Sequence, residues 1–169
     1  MTTPPLRPAR GAFLERHAWK GLLGVSLILG LFGLMDLTGG AADLQNGETV
    51  LMHSLTNMSW QEMQAAHPAA ANLVNELFRS NGASLITLAA LSSAICLTAF
   101  RRGERWAWYA LWALPVWMAL VPIIVWTAIV YPQYGVPVPV ISGSILAGLC
   151  VVCLVGSFRA FFPRAPRGG

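Results

Sequence analysis

The sequence predicts an all-α integral membrane protein: a four-helix bundle with a structured outer loop between its first and second helices. Three observations predict it. Of 169 residues, 56% are hydrophobic and only 11% are charged, against about a quarter charged in a soluble domain. Four apolar runs approach the ~20 residues that a helix needs to cross a ~30 Å hydrocarbon core. The basic residues fall in three short patches, each beside an apolar run, which is how cations set membrane topology. No stripe of basic residues resembles a nucleic-acid surface, so the net charge of +4 concerns the membrane and not nucleic acid.

The first span is predicted over about 20–38, with Trp19 and Lys20 at its inner edge and Asp36 ending its apolar part. Arg7, Arg10, Arg16 and Lys20 precede it, and Gly40-Ala41-Ala42 follows it, as in a cleaved signal peptide. Its apolar run is long for such a peptide, so an uncleaved anchor is the preferred reading. The second span is predicted over 82–100, stopping at Arg101-Arg102-Gly103-Glu104-Arg105. The third covers 106–131 and contains Pro115 and Pro122 on one face. Each proline removes a backbone hydrogen bond and tends to kink a helix. The fourth covers 139–158, with Pro139 at its first position, where a missing N–H costs nothing.

Residues 1–19 and 159–169 are then tails, and 20–158 the membrane domain. With four spans, the N-terminal tail (Arg7, Arg10, Arg16), the loop at Arg101–Arg105 and the C-terminal tail (Arg159, Arg164, Arg167) share one side. Cations concentrate in cytoplasmic segments, so both termini are predicted to be cytoplasmic. Arginine greatly outnumbers the single lysine, and alanine and glycine are abundant. That usage points to a GC-rich bacterial genome and hence to a bacterial plasma (inner) membrane.

The outer loop, 39–81, is too long for a bare connection and should carry its own structure. Ser59-Trp60-Gln61-Glu62 fits a capping box. Pro68 can open a further helix with Leu73, Val74, Leu77 and Phe78 on one stripe. That helix is expected to lie at the interface or to run straight into the second span. Residues 39–58 show weak periodicity and are read as loop.

Four groups of residues are candidates for chemistry. Asp36 and Arg79 should both lie near the outer boundary, where an Asp is costly unless solvated or paired. Arg is its natural partner, so the plain reading is an ion pair that pins the loop. The functional reading is the polar end of a ligand cavity, with Asn75, Glu76 and Asn81 contributing. Cys150 and Cys153 form a C-x-x-C pair on one helix face, a possible redox pair. Their surroundings are apolar, which keeps thiols inert, and packing is preferred; no structural disulfide is predicted. Span three carries Trp106, Trp108, Trp112, Trp117 and Trp126, which suit packing or lipid contact, with Trp117 a candidate for an apolar ligand. Ser26 and Gly30, and Ser142, Gly143, Ser144 and Gly148, would let helices approach closely, inside the bundle or along a dimer seam. The histidines lie outside the spans, so neither a haem nor a metal is expected, and no cofactor is predicted. No carboxylate falls mid-span, which counts against a proton-coupled transporter.

The opening Gly-rich span, the segment Phe78-Arg79-Ser80-Asn81-Gly82 and the inner turn Arg102-Gly103-Glu104-Arg105-Trp106-Ala107-Trp108 resemble the DoxX-like group of small bacterial four-helix membrane proteins, over roughly 20–158. The resemblance implies a four-helix bundle and no established reaction. The vitamin K epoxide reductase-like bundle is also similar in outline, but its redox cysteines lie toward the outside, with a second pair in the loop; here the loop has none. The resulting functional expectation is a non-enzymatic accessory subunit, or a binder of an apolar ligand such as a lipid or quinone. A membrane partner or homodimer is compatible with it. The alternatives are a thiol oxidoreductase using Cys150 and Cys153, and a small transporter.

Overall fold

The computed structural model describes residues 11–42 and 49–163, which contain helices and no strand. Arg7, Arg10, Arg164 and Arg167, on which the orientation partly rests, lie outside the described residues, as do Asp43 and Glu48 of the outer loop. Seven α-helices are numbered here in chain order: α1 (Gly11–Gly39), α2 (Thr49–Thr56), α3 (Trp60–Ala66), α4 (Pro68–Ile95), α5 (Arg105–Ala110), α6 (Ala113–Ala128) and α7 (Val138–Phe161). Four segments are long and apolar enough to cross a membrane: Arg16–Gly39, Pro68–Phe100, Arg105–Ala128 and Val138–Phe161. Their order and number match the four predicted spans.

The second of these is the longest, at 33 residues, or about 50 Å at ~1.5 Å per residue. Of the two courses open to the Pro68 helix, the chain takes the continuous one: α4 runs from the outer loop straight into the span. It ends in a π-helical turn over Cys96–Phe100, which buries Cys96, Ala99 and Phe100. The stop that follows is a Schellman motif. Gly103 has φ +78°, Glu104 N–H donates to Ala99 O (3.0 Å) and Gly103 N–H to Phe100 O (3.0 Å). That left-handed position is the reason a glycine sits between Arg102 and Glu104.

The third span is broken, not merely bent. Pro115 has no N–H for Leu111 O and its ring crowds that carbonyl. The α-helix accordingly gives way at Leu111 and Trp112, where the tighter bonds Trp112 N–H to Tyr109 O (3.2 Å) and Leu114 N–H to Leu111 O (3.1 Å) appear. Pro122 leaves α6 continuous. It packs against α7, where a Cβ on Gly143 would meet Pro122 Cγ at 3.0 Å.

Helix α1 lies between α4 and α7, and α6 packs on α7. The shared core draws on every span: Leu22, Val25 and Leu29 of α1, Leu85 and Ala89 of α4, Leu111, Leu114 and Met118 around the α5–α6 break, and Cys150 and Leu154 of α7. At the basic end, a ring cluster closes this core. Trp108 meets Phe158 at 5.6 Å and Phe162 at 5.5 Å edge to face, and its indole N–H donates to Leu154 O (2.9 Å). Lys20 and Arg101 lie over Trp19, and Arg105 over Phe162. These contacts join cations to apolar rings, as an interfacial belt requires.

The α1–α4 seam is built from small residues in antiparallel register. Ser92 Oγ–H donates to Ser26 Oγ (2.9 Å), and Ser26 in turn to Leu22 O (2.8 Å). One turn on, a Cβ on Gly30 would meet Ala89 Cβ at 3.3 Å, and a turn further Gly33 faces Gly82 and Leu85 at 2.8 Å. Ser26 and Gly30 thus serve inside the bundle. In α7, Gly143 does so too, whereas Gly148 has nothing within 4 Å of an added Cβ.

Beyond the seam, the outer loop forms a second small core. Ala41, Leu51, Met52, Trp60, Met63 and Ala71 are buried together, with Val74, Phe78 and Val125 against them. Residues 49–56, expected as loop, are helical here. Their apolar side chains find partners in α3, α4 and α6 that no local pattern reveals. This cap bridges the far ends of the spans: α3 packs on α4, while Ser54 O accepts from Val130 N–H (3.0 Å) and Tyr131 N–H (2.9 Å) after α6. Tyr134 O–H donates to Asn57 Oδ1, and its ring lies 5.1 Å from that of His53.

Candidate ligand-binding site

Where the cap meets α1 and α4, the structure forms an open cavity of about 370 Å³, lined by Gly39, Trp60, Gln64, Pro68, Ala71, Asn72 and Asn75. Its volume is at the lower end of the range for small-molecule pockets, roughly 300–1,000 Å³. Three elements position the lining. Ser59 caps α3: its Oγ accepts from Glu62 N–H (3.2 Å), and Glu62 Oε2 accepts from Ser59 N–H (2.7 Å). This reciprocal pair fixes the start of α3 and so places Trp60, which is buried, and Gln64 one turn later. Those same bonds to Ser59 hold the Glu62 carboxyl below its ordinary pKa. Pro68 opens α4, and Ala71, Asn72 and Asn75, at helical spacing, present one face to the cavity.

Asn75 is held firmly. Its Oδ1 accepts from Ala41 N–H (3.0 Å), in the turn where α1 ends and Gly40 takes φ +56°. With the carbonyl end committed, the Nδ2 donor remains for other use. Gln64 and Asn72 are exposed amides, each able both to donate and to accept. Among the described residues, the lining contains no charged side chain. Its amides can hold a polar, uncharged group by hydrogen bonds, with Trp60, Pro68 and Ala71 as its apolar lining.

Of the residues singled out in the sequence, Asn75 lines this cavity. Asp36, Arg79, Asn81 and Trp117 do not. Asp36 accepts from Asn81 Nδ2 (2.8 Å), and Arg79 pairs with Glu76 at 3.6 Å on the exposed surface of α4. Each of the two therefore has a partner other than the one expected. The Asp36–Asn81 bond lies beside the Gly33–Gly82 crossing, where a Cβ on Gly82 would stand 2.9 Å from Asp36 Cβ. Its evident work is to fix the register of α1 on α4 just inside the cavity. Trp117 packs against the main core, and its indole N–H, like that of Trp112, is buried with no acceptor among the described residues.

Cys150 is fully buried and Cys153 half-buried, and neither forms a disulfide. Cys150 lies in the main core with Cys96, and Cys153 packs against it, its Sγ 2.7 Å from where a Cβ on Gly21 would stand. The C-x-x-C pair is thus closed in by α1. Among the described residues, no group of three His, Cys, Asp or Glu side chains could hold a metal ion.

Trp60, Gln64 and Asn72 were not singled out from the sequence. The available signal was local: a capping box that fixes Trp60, and two asparagines three residues apart on the helix opened by Pro68. No protein-family model, no curated protein and no solved structure matches the chain.

Proposed function

We propose that this protein is a non-enzymatic membrane protein that binds a lipid-like amphiphile at its outer face. The polar head would occupy the amide-lined cavity, and the tail would run down the apolar side of α1 below Gly39 into the membrane. The observation that carries this reading is the cavity's place and lining. It sits just beyond the Gly33–Gly82 crossing, combines Gln64, Asn72 and Asn75 with Trp60, and lies above the exposed Phe32 and Met35, which share a face of α1 with the lining residue Gly39. A site polar at one end and apolar along the adjoining helix matches an amphiphile better than a fully soluble ligand. On this reading both termini are cytoplasmic and the membrane is a bacterial plasma membrane. Membership of the DoxX-like group belongs to the same proposal.

Native mass spectrometry of the protein extracted in a mild detergent tests the reading. A reproducible small bound mass, lost in Gln64→Leu and Asn72→Leu variants, is the expected result. A stoichiometric second polypeptide with no small mass would replace the binder with an accessory subunit.

One observation favours a second reading, a thiol oxidoreductase: Cys96, Cys150 and Cys153 gather in one cluster. Against it, Cys150 is fully buried, and burial in apolar surroundings suppresses thiolate chemistry. Unchanged phenotype in a Cys150→Ala/Cys153→Ala double variant would remove it.

A further inference from the structure

From the lining of the same cavity we infer the chemical class of the head it holds: a neutral, polyhydroxylated group of the kind found on a sugar-bearing lipid, and not a phosphate or other anion. The inference rests on the proposed amphiphile site and narrows what that site takes.

The first argument is charge. An anion is held best by a cation or a set of free N–H donors. Among the described residues, no Arg, Lys or His lines the cavity. The nearest cation along α4, Arg79, is engaged with Glu76 at 3.6 Å. The start of α4 borders the cavity, but its free donors do not line it: Pro68 has no N–H, the N–H of the capping His67 donates to Met63 O (2.8 Å), and Ala69 and Ala70 are not lining residues.

The second argument is the balance of donors and acceptors. Gln64 and Asn72 each offer an NH₂ and a carbonyl, and Asn75, its oxygen bound to Ala41 N–H, offers mainly its NH₂. A hydroxyl both donates and accepts, so several hydroxyls on one ring can answer all three amides. A phosphate, acceptor only, would leave the two carbonyls facing negative charge. A quaternary amine, with nothing to donate, would leave them unanswered. The third argument is size. The volume of about 370 Å³ fits a head group and not a whole lipid, since drug-sized ligands already use pockets up to roughly 1,000 Å³.

The test is competitive binding to the full-length protein in an amine-oxide detergent, which carries no sugar of its own. Glucosyl diacylglycerol, phosphatidylglycerol and free glucose are offered at equal concentration, and retention is read by native mass spectrometry. Expected is at least tenfold greater retention of glucosyl diacylglycerol than of phosphatidylglycerol. Asn72→Leu and Gln64→Leu, both at exposed positions, should abolish that difference with helix content by circular dichroism unchanged. Equal or stronger retention of phosphatidylglycerol, still lost in the two variants, overturns the head class and leaves the amphiphile site standing. Retention of free glucose as strongly as the glycolipid keeps the head class and overturns the lipid reading. Retention that neither variant alters, or no retention of any probe, overturns both.

Discussion

A Cβ on Gly82 would lie 2.5 Å from Leu37 N and 2.6 Å from Gly33 O, backbone atoms that cannot yield without moving a helix. Gly82→Ala should therefore part α1 from α4 at the crossing and destabilise the protein by about 1–3 kcal/mol, as overpacking does. Gly148→Ala is the control: its Cβ would meet nothing within 4 Å, and the change should stay within about 0.5 kcal/mol. Thermal unfolding of both variants in one detergent checks the pair, and equal losses would refute the close-approach argument. At this scale the sequence was partly legible. Ser26 and Gly30 could be read as packing residues because small-xxx-small spacing has one meaning on any helix. The partners of Asp36 and Arg79 could not. Which side chain of α4 reaches Asp36 depends on the register between two helices far apart in the chain, and no local pattern carries that register. Trp60 escaped notice as a lining residue for the same reason, although the capping box that places it was plain.

Among the elements, α3 has the most local determinants, and its behaviour with pH follows from them. Its hold on Ser59 N–H needs an ionised Glu62, whose pKa in the folded chain is lowered by the bonds to Ser59. A group depressed on folding stabilises fully above its unfolded value, near ~4.3 for a glutamate, and loses that effect as pH falls through the lower folded value. The protection factors of the α3 amides against hydrogen exchange, taken relative to intrinsic rates at each pH, should thus fall below about pH 4 and be constant above it. Glu62→Gln should weaken the acid sensitivity, and an unaltered profile in that variant would show that the box does not govern α3. The third span makes the complementary point. Pro115 and Pro122 look alike in sequence, yet the helix breaks four residues before Pro115 and runs through Pro122, which is seated against Gly143. Proline announces the possibility of a break; the neighbouring helix decides its extent. Helix α2 had no such announcement, because the apolar surface that covers Leu51 and Met52 comes from elsewhere in the chain.

For the whole molecule, four apolar helices were legible from run length alone, and the cations marked their ends. Lys20, Arg101, Arg102, Arg105 and Arg159 fall at one end of the spans, and Asp36 and Glu76 toward the other, which leads to an orientation that labelling can check. Single cysteines placed by Gln61→Cys and Arg102→Cys in a background where Cys96, Cys150 and Cys153 are Ala should divide cleanly. An impermeant maleimide should modify the first in intact cells and the second only after lysis. The reverse pattern would invert the topology and put the cavity on the cytoplasmic side. What run length could not supply was the order of packing. That α1 lies between α4 and α7, with α6 on the far side of α7, follows from where small residues face one another.

The Gly33–Gly82 crossing also sets a timetable for synthesis. Its two halves are separated by about fifty residues, which a ribosome adds in roughly 3–10 s at ~5–20 residues per second. Throughout that interval the first helix waits in the bilayer with its glycine face turned to lipid. The cap is made during the wait, ahead of the helix on which it will rest. The fourth span, in contrast, emerges into a membrane where its docking surface on α1 already stands, while the third must wait for α7, on which it packs; a chain stalled after Phe100 should keep the first hairpin.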